Sequence, residues 1–296
     1  MRIHNYPHLV RVGSDKMKLL NFALANGLIK RTQYCVRRYC RRKMTIISDK
    51  STADGFRFRC TRCRSTKSLR KSSFFEQSKL TLAQILYITY CWAAKVSVMS
   101  AVYMSGVCRN SISQWYQYLR ELCSKELIEC TDYFLGGPGV VVQIDDSLVA
   151  KRKYNDGRIV EQRWIFGIYD TEKKVGHIQL VNDRTADTLI PIVQNNVHPG
   201  STIYSDKSSA YRQLEDLGFQ HVTVNHSENF ISPTTGTCTN AIKAYWSRVK
   251  RSIRLHWLSR RDQLPLRIDE FLWRDRLSSK TYNDVFHEMI RLMANY

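Results

Sequence analysis

Val140–Ser147 reads VVVQIDDS, an apolar run closed by two aspartates and a serine. A short β-branched run of this kind is a strand buried in a sheet. Further downstream, RWIFGIYD (163–170) and VGHIQLVN (175–182) are two more strands. The turns before them are Asn155-Asp156-Gly157 and Glu172-Lys173-Lys174, so the three strands read as an antiparallel meander. ADTLIPIVQNNV (186–197) is a helix, STIYSD (201–206) a short strand, SSAYRQLEDLG (208–218) a helix ended by Gly218, and HVTVNH (221–226) a strand. The long helix TNAIKAYWSRVKRSIRLHW (239–257) follows, then EFLWR (270–274) and a last helix reaching Met293. The order predicts an α/β fold with a mixed sheet flanked by helices.

Asp145 ends the first of these strands and Asp206 falls just after the fourth. If those strands pair in parallel, their C-terminal ends meet where open α/β sheets carry functional sites. Two carboxylates there, with a third from a helix, would hold two Mg²⁺ or Mn²⁺ ions about 4 Å apart. One ion would activate a water or a DNA 3′-hydroxyl, and the other would stabilise the leaving oxygen. An aspartate at a strand end can equally be a turn former or helix cap, so both readings stay open at this point.

Upstream, cysteines 35, 40, 60 and 63 form two pairs flanking a hairpin-like stretch. Cys60-Thr-Arg-Cys63 has the two-residue gap of a zinc knuckle, whereas Cys35 and Cys40 stand four residues apart. A small zinc ribbon or incidental buried thiols would both fit. LLNFALANGLI, ahead of them, reads as one helix ended by Gly27. From Leu80 to Lys125 the pattern is helical. Ser97 reads as an N-cap, Gly106 as a turn, and Asn110-Ser111 as the start of a helix with Ile112, Trp115, Tyr116 and Leu119 on one face. A helix-turn-helix would set Asn110, Ser111 and Gln114 against DNA; a plain helical hairpin is the other reading. Gly136-Gly137-Pro138-Gly139 marks a domain boundary.

Lys and Arg number 46 against 26 Asp and Glu, a net charge of +20 over 296 residues. Such a surplus attracts polyanions, with nucleic acid the natural partner, although a merely basic member of a large assembly would also fit. The sequence has no apolar run long enough to span a bilayer, and its start lacks a signal-peptide core. Nine cysteines without such a signal argue for reduced thiols in a protein that is not secreted. Nothing points to a membrane or a small-molecule cofactor.

Five segments in order resemble the Merlin superfamily of DNA transposons and the bacterial ISXO-like insertion-sequence transposases. They are IDDSLVAKRKYNDGRIVEQRWIFGIYD, HPGSTIYSDKSSAYRQL, VNHSENFISPTTGTCTN, YWSRVKR and EFLWR. The resemblance covers roughly residues 60 to 275. It implies a ribonuclease-H-like catalytic domain with a DDE-type metal site, preceded by a zinc-binding segment and a helical DNA-binding region. By position, the first acid is Asp145 and the second Asp206. The third belongs where this sequence has Lys243. Lys250 matches a basic family position and, with Arg248 and Arg251, is expected on substrate DNA.

Protonated lysine has three donors and no lone pair, so it repels a divalent ion and pairs with carboxylates instead. Glu228 and His226 lie before the helix, Asp146 should face the other side of its strand, and Glu270 reads as part of a packing helix. None of them is a convincing replacement. Relatives carry Cys-x-x-Cys at the first knuckle, where this chain has Arg37 in the first cysteine's place.

The expected organisation is an N-terminal helical segment (1–34), a zinc ribbon (35–75), a helix-turn-helix-like region (76–135), the transposase domain (139–275) and a C-terminal helix (276–296). The expected partner is double-stranded DNA, both transposon ends and target, with a homodimer assembled on it. The expected compartment is the nucleus in a eukaryotic host and the cytoplasm in a bacterium. Besides an active transposase, two other readings remain. One is an inactive DNA-binding descendant, and the other is a zinc-ribbon and helix-turn-helix regulator whose α/β domain mediates assembly.

Overall fold

The computed structural model describes residues 2–130, 133–149, 163–224, 239–254 and 263–296. They form two compact units. Met1–Leu122 with Ser279–Tyr296 makes one, and Cys123–Ser278 the other.

In the first unit, the N-terminal stretch is two helices, α1 (Tyr6–Ser14) and α2 (Lys16–Ala25), where one was expected. Asp15 separates them: its backbone is extended and its carboxylate accepts the N–H groups of Met17 and Lys18, capping α2. A four-stranded antiparallel sheet follows, β1 (Gln33–Tyr34), β2 (Lys43–Ser48), β3 (Phe56–Cys60) and β4 (Thr66–Ser68), in sequence order. Met44, Phe56, Phe58 and Cys60 are buried on one face.

A buried bidentate pair, Arg70 with Asp54 at 2.5 and 2.7 Å, anchors the ribbon. Asp54 also accepts the Leu82 N–H that opens α3 (Leu82–Ala93). α4 (Val98–Ser105) is capped by Ser97 and ended by left-handed Gly106, and α5 (Arg109–Glu129) begins three residues later. Ile112, Trp115, Tyr116 and Leu119 are buried on one stripe of α5, with Trp115 against Phe74 and Phe75.

The second unit is built on a five-stranded sheet. Its strands are β5 (Val141–Leu148), β6 (Trp164–Asp170), β7 (Val175–Val181), β8 (Thr202–Asp206) and β9 (Gln220–Val224), in the order β7-β6-β5-β8-β9. β5, β6 and β7 form the expected antiparallel meander, and β5, β8 and β9 run parallel. This is the ribonuclease-H-like arrangement that the sequence implied. α6 (Ala186–Asn196) and a 3-10 helix (Ser209–Leu214) cover one face. α7 (Asn240–Arg254) and α8 (Leu264–Arg276) cover the other. The Ser209–Leu214 segment is not the α-helix that its pattern suggested. Tyr211 and Leu214, three residues apart, are both fully buried, which suits three residues per turn.

The break between units falls at Leu122–Cys123, inside α5, and not at Gly136-Gly137-Pro138-Gly139. That turn is fixed to the sheet: Gly136 N–H donates to Asp170 at 2.8 Å and Gly137 N–H to Ser201 at 2.9 Å. The last helix, α9 (Tyr282–Ala294), belongs to the first unit, where Tyr90 donates to Asn283 at 2.8 Å. Among the described residues no helix is long and apolar enough to cross a membrane.

Candidate functional site

The pairing register brings the two aspartates together. β5 and β8 pair as Val141 with Thr202, Val142 with Ile203 and Gln143 with Tyr204. Two residues further along the same register, Asp145 comes level with Asp206 at the C-terminal end of β8. Asp145 does not end its own strand as expected, because β5 runs on to Leu148 against β6. Strand alternation then sorts the side chains. Val142 and Ile144 enter the core under α6, while Gln143 and Asp145 turn to α7. The Ile242 N–H donates to Gln143 at 2.9 Å and the Trp246 indole N–H donates to Asp145 at 3.0 Å.

Gly167, opposite Asp145 on β6, makes room for that indole. A Cβ there would stand 2.5 Å from the Trp246 ring. Trp246 belongs to the YWSRVKR segment, but its bond to Asp145 was not foreseen from the sequence. The sequence signal was present in the pairing of a lone glycine in a β-rich strand with a tryptophan on an incoming helix.

The electrostatics follow from this burial. Desolvation pushes the Asp145 carboxyl up to about 6, the indole bond opposes the rise, and the nearby Asp146 and Asp206 carboxylates add to it. Asp206 is half-buried, and its Oδ1 is buried without a hydrogen-bond partner among the described residues. Tyr211 is fully buried with an unpaired hydroxyl. Burial first, then the charges of Asp146, Asp206 and Asp145, raise its pKa. Asp146 faces the α6 side and accepts from Arg184 at 3.0 Å, and the Arg184 guanidinium lies 4.1 Å over the Trp164 ring.

Two hard oxygen donors, one of them orphaned, suit a cation. Lys243, half-buried in the first turn of α7, does not. It stands next to Ile242 and one turn before Trp246, the two residues that seat α7 over β5, at the place where the resemblance expects a third acid. The residues present therefore do not fit a two-ion centre. Glu228 and His226 lie outside the described residues, and Glu270 is paired with Arg274 at 2.9 Å.

Of the cations expected on DNA, Arg251 is exposed and Lys250 half-buried. Arg248 is held at 3.0 Å by Asp275, a carboxylate buried enough to need a counter-charge. On α5, Asn110 and Gln114 are exposed; Gln114 donates to the Tyr118 hydroxyl at 2.6 Å and Ser111 contacts the Cys108 thiol at 3.2 Å.

Cys35, Cys40, Cys60 and Cys63 converge in the first unit, all four sulfurs within 4.8 Å of one another. Cys35 and Cys63 are 3.4 Å apart and Cys40 and Cys60 3.5 Å. A tetrahedral zinc at about 2.3 Å from each thiolate separates its ligands by about 3.8 Å, so the four residues fit that ion. Cys35, and not the Arg37 position, completes the set. The longer first knuckle closes through bonds from Cys40 N–H to Arg37 and from Cys35 N–H to Arg42, both 2.9 Å. The Ser65 hydroxyl and N–H beside Cys63 hold its thiol down to about 6.

Residues 125–275 match the model of the ISXO2-like transposase domain, half of the chain. The chain belongs to the ISXO2-like transposase family. A transposase-like protein of Haemophilus influenzae, itself uncharacterized, is 30% identical over 101 residues, which are 34% of this transposase-family chain and 80% of that protein. The HTLV-2 integrase catalytic core domain in complex with magnesium aligns with 48% of this chain and 86% of its own, at 15% identity and a TM-score of 0.31. The simian T-cell lymphotropic virus intasome aligns with 63% of this chain and 67% of its own, at 14% identity and a TM-score of 0.33.

Proposed function

We propose that this family member binds duplex DNA, transposon ends above all, on a transposase scaffold whose centre no longer supports two-metal strand transfer. The observation that carries the proposal is Lys243 on the turn of α7 that lies over β5 and is locked there by the Gln143–Ile242 and Asp145–Trp246 bonds. An ammonium at that place repels a divalent ion and offers it no lone pair. Asp145 and Asp206 keep the means to hold one Mg²⁺ or Mn²⁺, which with substrate oxygens lends positive charge to a bound phosphate. Lys250, Arg251 and the exposed face of α5 supply phosphate contacts, and the net charge of +20 supplies the long-range attraction. α4 and α5 would act as a helix-turn-helix, and two copies would meet on DNA. Within the family we place the chain in the Merlin branch, working in the nucleus of a eukaryotic host; in a bacterial host it would work in the cytoplasm.

The test uses purified protein, Mg²⁺ or Mn²⁺ and a labelled duplex carrying the element's terminal repeats. The unaltered chain is expected to bind without cleaving. Lys243→Glu is expected to raise cleavage by about a hundredfold or more, the scale of restoring one group in a charge-stabilising site. Cleavage by the unaltered chain that Asp206→Ala abolishes would overturn the inactive reading.

A further inference from the structure

We infer that the cysteine ribbon carries a second DNA-binding surface, formed by the open face of β1–β4 and its two arginine-bearing knuckles. This rests on the DNA-binding reading above and adds a site to it. The four-stranded sheet buries one face and leaves the other open. On the open face Tyr34 pairs with Lys43, and Thr45, Arg59 and Thr66 stand in one row across three strands. All five are exposed, and each carries a hydrogen-bond donor that a phosphate accepts.

Both knuckles project from the same end of the sheet, because each joins neighbouring strands at the cysteine end. Arg37, Arg38, Arg41 and Arg42 lie on the first knuckle and Arg62 and Arg64 on the second, all exposed. The sequence has no acidic residue from Lys16 to Ser48 and none from Phe56 to Phe75. The acids that do lie in the ribbon, Asp49 and Asp54, are paired with Arg57 and Arg70. Tyr39, 90% exposed at the first knuckle's tip, adds an aromatic face beside these cations.

A second observation is that two of these arginines stand in a backbone conformation that glycine would adopt more easily. Arg41 and Arg64 each follow the second cysteine of a knuckle, and both are left-handed, with φ of 43° and 60°. Glycine adopts that conformation freely and arginine does not. Two arginines at the equivalent strained position, in two knuckles of different length, fit a polyanion partner. Duplex DNA, with a charge every 1.7 Å or so of its axis, matches a spread of cations without acids.

The strain also supplies the test, since glycine at these two positions removes charge while easing the backbone. Anisotropy of a labelled mixed-sequence duplex of about 30 base pairs is read over a KCl series from about 0.05 to 0.3 M, using full-length zinc-loaded protein. Arg41→Gly/Arg64→Gly is expected to keep its zinc and its melting temperature. It should bind DNA about tenfold or more weakly at 0.1 M salt, with the log–log salt slope shallower by about 1.8, or 0.9 per lost contact. Lys43→Gln/Arg59→Gln, on the strands themselves, should show the same loss and decides the matter if the glycine pair loses zinc. Unchanged affinity and slope in a zinc-loaded variant, while the unaltered chain binds, overturns this inference alone. Failure of the unaltered chain to bind overturns it together with the DNA-binding reading.

Discussion

Asp145 is held by the indole of Trp246, which the space left by Gly167 admits, and is opposed by the like charge of its parallel neighbour Asp206. Its carboxyl is raised from the ordinary 3.8 to about 6, so between those values the folded chain binds a proton that the unfolded chain has lost. Stability from this group is therefore complete below about pH 4 and is lost as pH rises through about 6. Asp145→Asn is expected to raise the unfolding free energy at pH 7 by about 1–3 kcal/mol and to flatten its pH dependence from 4 to 7, read by urea denaturation. Gly167→Ala works in the opposite sense. Its methyl meets the Trp246 ring and should destabilise the fold by about 1–3 kcal/mol, seen as a lower denaturation midpoint and altered tryptophan fluorescence. Trp246→Phe keeps the bulk but removes the donor, so the Asp145 titration measured by carboxyl-carbon NMR should move above about 6.

The ribbon is the element most dependent on something outside the polypeptide. Its sheet contains strands of two and three residues at either edge, too short to hold themselves, and four converging thiols. Chelation should unfold β1–β4 while leaving the β5–β9 sheet intact, and Cys63→Ala should have the same effect. Metal analysis of purified protein should find about one zinc per chain; no bound zinc, with the ribbon's amides still protected from exchange, would refute the metal reading. Which cysteines belong together was legible from the 60–63 spacing. So was the set of four, Cys35 included; what the spacing left open was how the four-residue gap closes, and it does so through backbone bonds from Cys35 and Cys40. Two features were missed. The Asp15 cap is local, made to the Met17 and Lys18 N–H groups just ahead of the apolar run. The 3-10 turn, with Tyr211 and Leu214 buried three residues apart, follows from tertiary packing.

At the scale of the whole molecule, the net charge of +20 would dominate encounter with the DNA proposed as partner. Binding that neutralises about six phosphates should weaken roughly a thousandfold between 0.05 and 0.2 M salt, and a flat response would count against phosphate-led binding. The sequence by itself determined the strand and helix order, the two aspartates on the first and fourth strands, the thiol pairs and the misplaced Lys243. The elements and the thiol pairs are carried by composition, period and spacing, which act locally along the chain; the place of Lys243 came from the resemblance to ISXO-like transposases. Only the tertiary structure decided the rest. The parallel register fixed which carboxylates meet, and α7 packing fixed that the Trp246 indole donates to Asp145. The burial of Asp275 tied down Arg248, and the unit boundary fell inside α5. Register and burial depend on which surfaces meet across the fold, and a one-residue slip would reverse every face.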